Sequence, residues 1–411
     1  MINFIYFIIL NFLIAQSSSL ALYGLGEMVN SSDAGGISLG ESRFFSNNDF
    51  IPSNSSTHHK SNQACLAASM NFTNLSSSYI NKLQSNNFNN ISFGFPISEN
   101  QYFMLGMKPV FRSVMKISEN EFTFLGSDIS NIDTDGDGLS DPVKFKSSYD
   151  FEGGISEISA SLSSKISENL SIGLKVGKLF GTITRKDTIN FYTINFDING
   201  EELSSNWFGG EPRQNKFNCS AFTYNIDGRY TFNSKNILAF YFGGSNDLSI
   251  KTDFDNFDSI FYSLRGFREV GLGFKSFIYD DFGYIFEFNK NDSFGRDINI
   301  NLINKPFLDF SSTNFGIFYK DYNIANNSIN FLNYSLGFYN KIYSYKQNDL
   351  YINDIGFSLG VGLNYLNNNT LNISFQSGFR LSEFNEFGDE KYFKLTFSII
   401  SNNNWFIKEN E

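Results

Sequence analysis

Ile355-Gly356-Phe357-Ser358-Leu359-Gly360-Val361-Gly362-Leu363-Asn364-Tyr365 sets a large apolar residue against a small or polar one at every step. The turn Asn367-Asn368-Asn369 follows, and the pattern then returns. Leu371, Ile373, Phe375, Phe379 and Leu381 take one parity, and Asn372, Ser374, Gln376, Gly378 and Arg380 the other. A third run opposes Phe393, Leu395, Phe397 and Ile399 to Lys394, Thr396 and Ser398. A period of two means strands, because successive side chains leave a sheet on opposite faces. Their length says more. Strands of soluble proteins usually have about 5–6 residues, whereas a tilted strand crossing a bilayer needs about 9–11. A water-facing sheet would fill its polar parity with Lys and Glu; here that parity is mostly Gly, Ser and Asn. The pairing fits lipid on the aromatic side and a wet lumen on the other, with Asn364, Gln376, Arg380 and Lys394 facing the lumen.

The same unit repeats from about residue 64 to residue 400. Short polar turns stand at 97–100, 167–169, 233–236, 279–281, 324–328 and 367–369. Longer polar connections alternate with them near 78–87, 117–147, 185–212, 250–257, 291–305, 344–350 and 383–390. This alternation predicts an all-β fold: a transmembrane antiparallel β-barrel of about 14 strands over residues 64–411. Closure leaves no strand edge in lipid, and the even count puts both ends of the wall on the short-turn side. Trp405 and Phe406, just past the last strand, read as anchors at the membrane interface.

The N-terminal part differs. Phe4 to Ala15 (FIYFIILNFLIA) is too short for a spanning helix but suits a signal peptide over residues 1–15. Residues 16–63 alternate poorly and are rich in Gly and Ser. Inward side chains cannot fill a barrel of this size, so the segment is read as an N-terminal hatch or plug.

Composition narrows the function. The 411 residues include 49 Phe and 21 Tyr, too aromatic for disorder, and the net charge of −11 argues against a nucleic-acid partner. The two histidines, His58 and His59, are adjacent in a polar stretch, which speaks against Ser-His hydrolysis or a multi-histidine zinc site, and no enzyme is expected. Cys65 and Cys219 are too few for a disulfide framework.

One stretch has metal-site spacing. Asp133-Thr134-Asp135-Gly136-Asp137-Gly138-Leu139-Ser140-Asp141 brings carboxylates of Asp133, Asp135 and Asp137 onto one point, with the Leu139 carbonyl and Asp141 as further ligands and Gly138 allowing the turn. It reads as a Ca2+ loop inside the external connection 117–147, with a structural role. Lys144 at the twelfth position, where an EF-hand has Glu, excludes a helix-loop-helix sensor.

Four short stretches carry a likeness to known barrels. Tyr23-Gly24-Leu25-Gly26-Glu27 with Asp33-Ala34-Gly35-Gly36-Ile37-Ser38-Leu39-Gly40 resembles the N-terminus of FadL-type outer-membrane proteins, the long-chain fatty-acid transporter superfamily. Phe151-Glu152-Gly153-Gly154-Ile155-Ser156-Glu157 and the closing Tyr392-to-Ser398 strand are similar to others of that group. The resemblance implies a fourteen-stranded barrel in the bacterial outer membrane, a hatch inside it, and uptake of hydrophobic, fatty-acid-like molecules. The family's Asn-Pro-Ala element is not intact, its nearest match being Ile51-Pro52-Ser53-Asn54. Related barrels also serve protein secretion or surface assembly, and a secreted soluble β adhesin with a calcium loop is a further alternative; that one requires the apolar stripes to pack inward. The partners expected of the first reading are outer-membrane lipid and a hydrophobic small molecule, with protein partners left unspecified.

Overall fold

The computed structural model describes residues 18, 20, 25–29, 33–46, 50–77, 83–118, 123–125, 133, 138–196, 202–233, 235–254, 257–292, 294, 308–323, 325, 328–345, 350–366, 369–383 and 389–403. Fourteen strands form its wall, numbered here in chain order. They are β1 (Ala64–Ser77), β2 (Leu83–Ser98), β3 (Gln101–Arg112, Met115–Ser118 and Thr123–Leu125), β4 (Val143–Lys165), β5 (Leu170–Phe196), β6 (Glu202–Asn233) and β7 (Asn236–Ser245 and Leu248–Phe254). Next come β8 (Phe257–Leu264 and Arg268–Phe277), β9 (Phe282–Asp292), β10 (Asp309–Asp321), β11 (Ile329–Tyr345), β12 (Leu350–Tyr365), β13 (Asn369–Ser382) and β14 (Glu390–Asn403). Each pairs antiparallel with its sequence neighbour, and β14 returns to β1 along its whole length, from Glu390 opposite Ser77 to Asn403 opposite Ala64. The sheet is closed.

The burial pattern is inverted relative to a soluble protein. On β12 and β13, Ile355, Leu359, Val361, Ile373 and Phe379 are exposed, while Ser358 and Gln376 are fully buried and Asn372 is 1% exposed. Leu395 is exposed on β14 and Thr396 beside it is buried. A surface this apolar, wrapped around a polar interior, suits hydrocarbon rather than water. It overturns the soluble-adhesin alternative, which needed these stripes inside.

The wall is uneven. β5 has 27 residues and β6 has 32, against 11 in β9. Much of the expected 185–212 connection is therefore a continuation of the β5–β6 ribbon, paired from Arg185 with Asn215 up to Phe196 with Glu202. Alternation fails to reveal it because both faces of a ribbon above the membrane are wet. β-favouring residues (Ile189, Phe191, Tyr192, Thr193) still hold it together. The expected 117–147 loop is likewise shortened, since Thr123–Leu125 pairs with Val143–Phe145 of β4. The expected signal peptide and the anchors Trp405 and Phe406 lie outside the described residues.

Candidate functional site: the barrel interior and a seam in its wall

Residues 33–46 and 50–63 run through the lumen and bond to wall strands all the way round. Asp33 caps the single helical turn Ala34–Ile37, accepting from Gly36 N at 3.3 Å and from Ser46 Oγ at 2.8 Å. Ala34 N donates to Ser398 Oγ of β14, Gly40 N to Ser358 Oγ of β12, and Ser55 N to Asp227 of β6. Glu287 of β9 gathers the backbone amides of Arg43 and Phe44, each at 3.0 Å, and the Ser42 hydroxyl. Arg43 makes a two-pronged bond to Glu269 of β8 at 2.9 and 3.1 Å and lies 3.5 Å over the Tyr241 ring. Gly40 has a φ of 77°, and its backbone sits against that of Gly337 on β11, where any Cβ would collide with Gly40 N. The small inward parity read from sequence thus leaves room for a second chain layer.

The histidines sit inside this layer, not on a solvated leader. His58 is fully buried, stacks on Phe50 at 4.8 Å, and shares a hydrogen bond with the Ile51 carbonyl at 2.9 Å. His59 N donates to Ser163 Oγ of β4.

All four lumen candidates share the buried parity of their strands. Gln376 donates to Glu41 of the lumenal segment, which also pairs with Lys341 of β11. Burial by itself would raise the Glu41 carboxyl, but Lys341 and Lys394 hold it down at about 2. Arg380 holds three carboxylates: Asp354 of β12 at 3.0 Å, Glu390 of β14 at 3.1 Å and Glu27 of the N-terminal segment at 2.7 Å. Tyr392 donates to Asp354 at 2.7 Å, so the hydrogen it shares with Tyr339 comes from Tyr339. The Lys394 ammonium stands 5.2 Å from the Tyr392 ring. Asn364 lies near the short-turn end, bonded to Asn330 and Thr370, away from this cluster.

Sequence reasoning missed the residues that complete the interior: Glu27, Glu41 and Arg43 on the lumenal segment, and Arg112, Glu157, Glu269, Glu287, Lys341, Asp354 and Glu390 on the wall. The signal was present, because a charge on the Gly/Ser/Asn parity must either face water or meet a partner.

Among the described residues the wall itself is interrupted beside β3. β2 pairs with β1 from Leu83 to Gly94 but with β3 only from Ile91–Met107 down to the turn. Above that point the free edge of β3 is taken by the N-terminal segment: Glu27 pairs with Arg112, Met28 with Phe111, and Val29 N donates to Val110 O at 2.9 Å. Arg112 reaches back across the opening to the Phe88 carbonyl and, at 3.3 Å, to Asn89 Oδ1. Gly26 turns the chain into this position with a φ of 108°, its α-carbon against the Arg112 carbonyl. Met28 and Val29 separate two cavities. One is lined by Glu27, Arg112, Arg380, Lys394, Leu75 and Tyr343 among others. The second mixes Val110, Phe111, Leu179 and Phe267 with Lys108, Glu157 and Lys175. Leu179 also belongs to an apolar cluster with Leu25, Phe217, Leu248, Leu264 and Phe294.

The BamG family profile matches residues 1–410. The chain belongs to the BamG family. No curated protein matches it in sequence. In fold, this BamG-family chain is similar to a Pseudomonas aeruginosa FadL homologue (TM-score 0.56, 10% identity, covering 92% of this chain and 99% of that one). It is also similar to the P. putida toluene transporter TodX (0.51, 9%, 92% and 99%) and to the CymD monoaromatic hydrocarbon channel (0.51, 11%, 96% and 99%). The fold is therefore the FadL-type β-barrel shared by these three structures.

Among the described residues no group of three or more His, Cys, Asp or Glu side chains is arranged to hold a metal ion. Of the expected calcium ligands, Asp135 and Asp137 lie outside the described residues. Asp133 Oδ2 accepts from Gly138 N at 2.9 Å, and Leu139 is 69% exposed.

Proposed function

We propose that this BamG-family barrel passes hydrophobic molecules through the outer membrane, with the lumenal segment as its hatch and the β2–β3 seam as its exit into the bilayer. The observation that carries the reading is the seam. A closed barrel has no reason to leave one strand edge to a separate piece of chain, and unpaired backbone in lipid is too costly to persist. Glu27–Val29 makes the wall continuous while in place, and the two cavities meet at Met28 and Val29. TodX is a toluene transporter and CymD a monoaromatic hydrocarbon channel, which supports an apolar cargo. The fatty-acid-like cargo is the narrower part of the proposal; Arg380, Lys394 and Arg112 beside the seam suit a carboxylate at the end of an apolar chain.

A disulfide staple tests it. In a Cys65→Ser, Cys219→Ser background, cysteines at Met28 and Phe111 would lock the seam. Oxidised protein in liposomes should lose uptake of labelled laurate and of a neutral apolar dye, and dithiothreitol should restore both. Equal uptake by oxidised and reduced protein would defeat the seam as an exit, and uptake no faster than in empty liposomes would defeat passage altogether.

A second reading is a scaffold for protein secretion or surface assembly. It is favoured by the β5–β6 ribbon, which outreaches its neighbours and carries an exposed Trp207, and by a lumen whose charges are already paired. Crosslinking from position 207 in intact cells distinguishes it, since a channel has no need of a protein partner there.

We further propose that Ca2+ binds at Asp133, Asp135, Asp137, the Leu139 carbonyl and Asp141. The alternate spacing supports this, as does Gly138, which has a φ of 84° and open space around it. Millimolar Ca2+ should slow proteolysis at this loop, and Asp133→Ala should abolish the protection.

A further inference from the structure

We infer that the outward face of β5–β9, at the end of the barrel that carries the long connections, binds a lipid whose head bears two or more phosphates. This face looks away from the lumen, so the binding does not depend on the passage reading above. The chain as a whole has a net charge of −11, yet cations gather on this arc: Lys178 of β5, Lys216 of β6, Lys251 of β7, Arg268 of β8 and Lys290 of β9. Their parity is outward. Leu179, Phe217, Ile250 and Asn289, the sequence neighbours of four of them, are buried. Across the strand pairs Lys178 opposes the exposed Phe222, Lys251 the exposed Phe261 and Lys290 the exposed Val270. Among the described residues Lys178, Lys216, Arg268 and Lys290 make no ion pair, and Lys251 is tied to Asp253 at 3.1 Å. Asp292, opposite Arg268, is the other described carboxylate on the outward parity of the arc. The arc ends at β4, whose outward residues there are Asp150 and Glu152. Over β10–β14, Lys391 is the one outward cation near that rim among the described residues.

The surroundings of these cations define the partner. Lys178 stands between Val176 and Phe180 on its own strand, both exposed, and its ammonium lies 5.9 Å from the Phe222 ring. Lys290 follows the exposed Phe288, and Arg268 precedes Val270 and Leu272 on the same apolar stripe. A ligand here must lay hydrocarbon against Val176, Phe222, Leu272 and Phe288 and hold negative charge directly above it. That is a lipid with an anionic head, towards which a lysine stem buried in acyl chains carries its charge. A soluble polyanion would meet the cations but leave the apolar stripe uncovered. The span sets the number of charges. Four strand spacings of about 4.8 Å separate β5 from β9 by about 19 Å. One phosphate reaches cations on two neighbouring strands and leaves the others unmatched, whereas a head with several phosphates can engage the arc as a unit.

The test uses the full chain in a neutral detergent with three probes: lipid A, with two phosphates on an acylated disaccharide; phosphatidylglycerol, with one phosphate; and heparin, a polyanion without acyl chains. Lipid A should bind most tightly, and its affinity should fall with added salt. Joint replacement Lys216→Ser, Lys251→Ser and Lys290→Ser should weaken it about a hundredfold, at about fivefold per lysine. Lys391→Ser, on the opposite arc, should leave it unchanged. Heat-modifiable gel mobility equal to wild type shows that a variant is folded, and if the triple variant fails to assemble, Lys216→Ser and Lys290→Ser singly should each cost about fivefold. Lipid A affinity that these replacements leave unchanged, or that Lys391→Ser lowers equally, overturns the inference. Phosphatidylglycerol binding as tightly as lipid A overturns the demand for several phosphates, and heparin binding as tightly overturns the lipid as partner.

Discussion

Asp354 of β12 and Arg380 of β13 are directly opposed across the strand pair and joined at 3.0 Å, with both side chains turned into the barrel and shut off from solvent. An ion pair so placed is justified by its geometry, because each charge removed from water needs its full set of partners. Arg380→Met would leave Asp354, Glu390 and Glu27 facing one another without a cation. We expect a loss of about 3–5 kcal/mol in resistance to unfolding, read as a lower midpoint in a heat or urea titration followed by gel mobility. Arg380→Lys should recover only part of it, since an ammonium lacks the planar fork that reaches three carboxylates in different directions.

Gly337→Ala tests whether the lumenal segment depends on the thinness of the wall. The new methyl group would strike Gly40 backbone, which no rotamer change can relieve. The barrel should still assemble and resist protease, while residues 33–63 become cleavable from the short-turn mouth. Protection equal to wild type would show that the segment does not rely on this contact.

Leu359→Arg places a charge on the outward stripe, opposite the buried parity of Ser358 and Gly360. The expected cost is about 2–4 kcal/mol if the position lies near the bilayer midplane, falling towards zero at the interfaces. Folding into phospholipid vesicles under a denaturant gradient measures it. Phe379→Arg, six residues nearer the outer rim than Ile373 on the neighbouring strand β13, should cost less than Ile373→Arg.

Docking of the lumenal segment should weaken in acid. Burial pushes the His58 imidazole down to about 4 from the usual 6.5, with the neighbouring His59 adding to the effect and the Ile51 carbonyl opposing it. The folded form then binds fewer protons than the released form between those two values. The stabilisation is fully present above about pH 6.5 and is lost as the pH falls to about 4, on the order of 3 kcal/mol in total. Protease sensitivity of residues 50–63 should rise through that window. His58→Gln should reduce the response, leaving the part due to His59, whose imidazole burial also pushes down to about 4, and a flat response in the wild type would show that both rings stay accessible to protons when docked.

The wall was legible because lipid imposes a strict rule on every second residue. Runs such as Ile355–Tyr365 and the six short turns therefore give strand number and order. The rule lapses where water lies on both faces, which is why the upper part of the β5–β6 ribbon looked like a loop. It lapses again at the seam, where Glu27 and Arg112 are ordinary charges in sequence and gain meaning only from a chain segment some 85 residues away meeting the edge of β3. The burial of His58 was hidden for a related reason: its polar neighbours Ser55, Ser56 and Thr57 are buried too, bonded to Asn54 and to the wall instead of to solvent.

The pairing of β14 with β1 has a bearing on biogenesis. Residues 33–63 reach the envelope before any strand of the cylinder, yet the cylinder cannot be completed until Asn403 lies beside Ala64. The earliest part of the polypeptide must wait in an unfinished, gaping sheet and be enveloped as the last strand arrives, or else thread in afterwards through the narrow mouth. Truncations at the C-terminus should accordingly strand a leading segment with nothing to nest in, and such chains become substrates for periplasmic proteases from the opposite end to the cut.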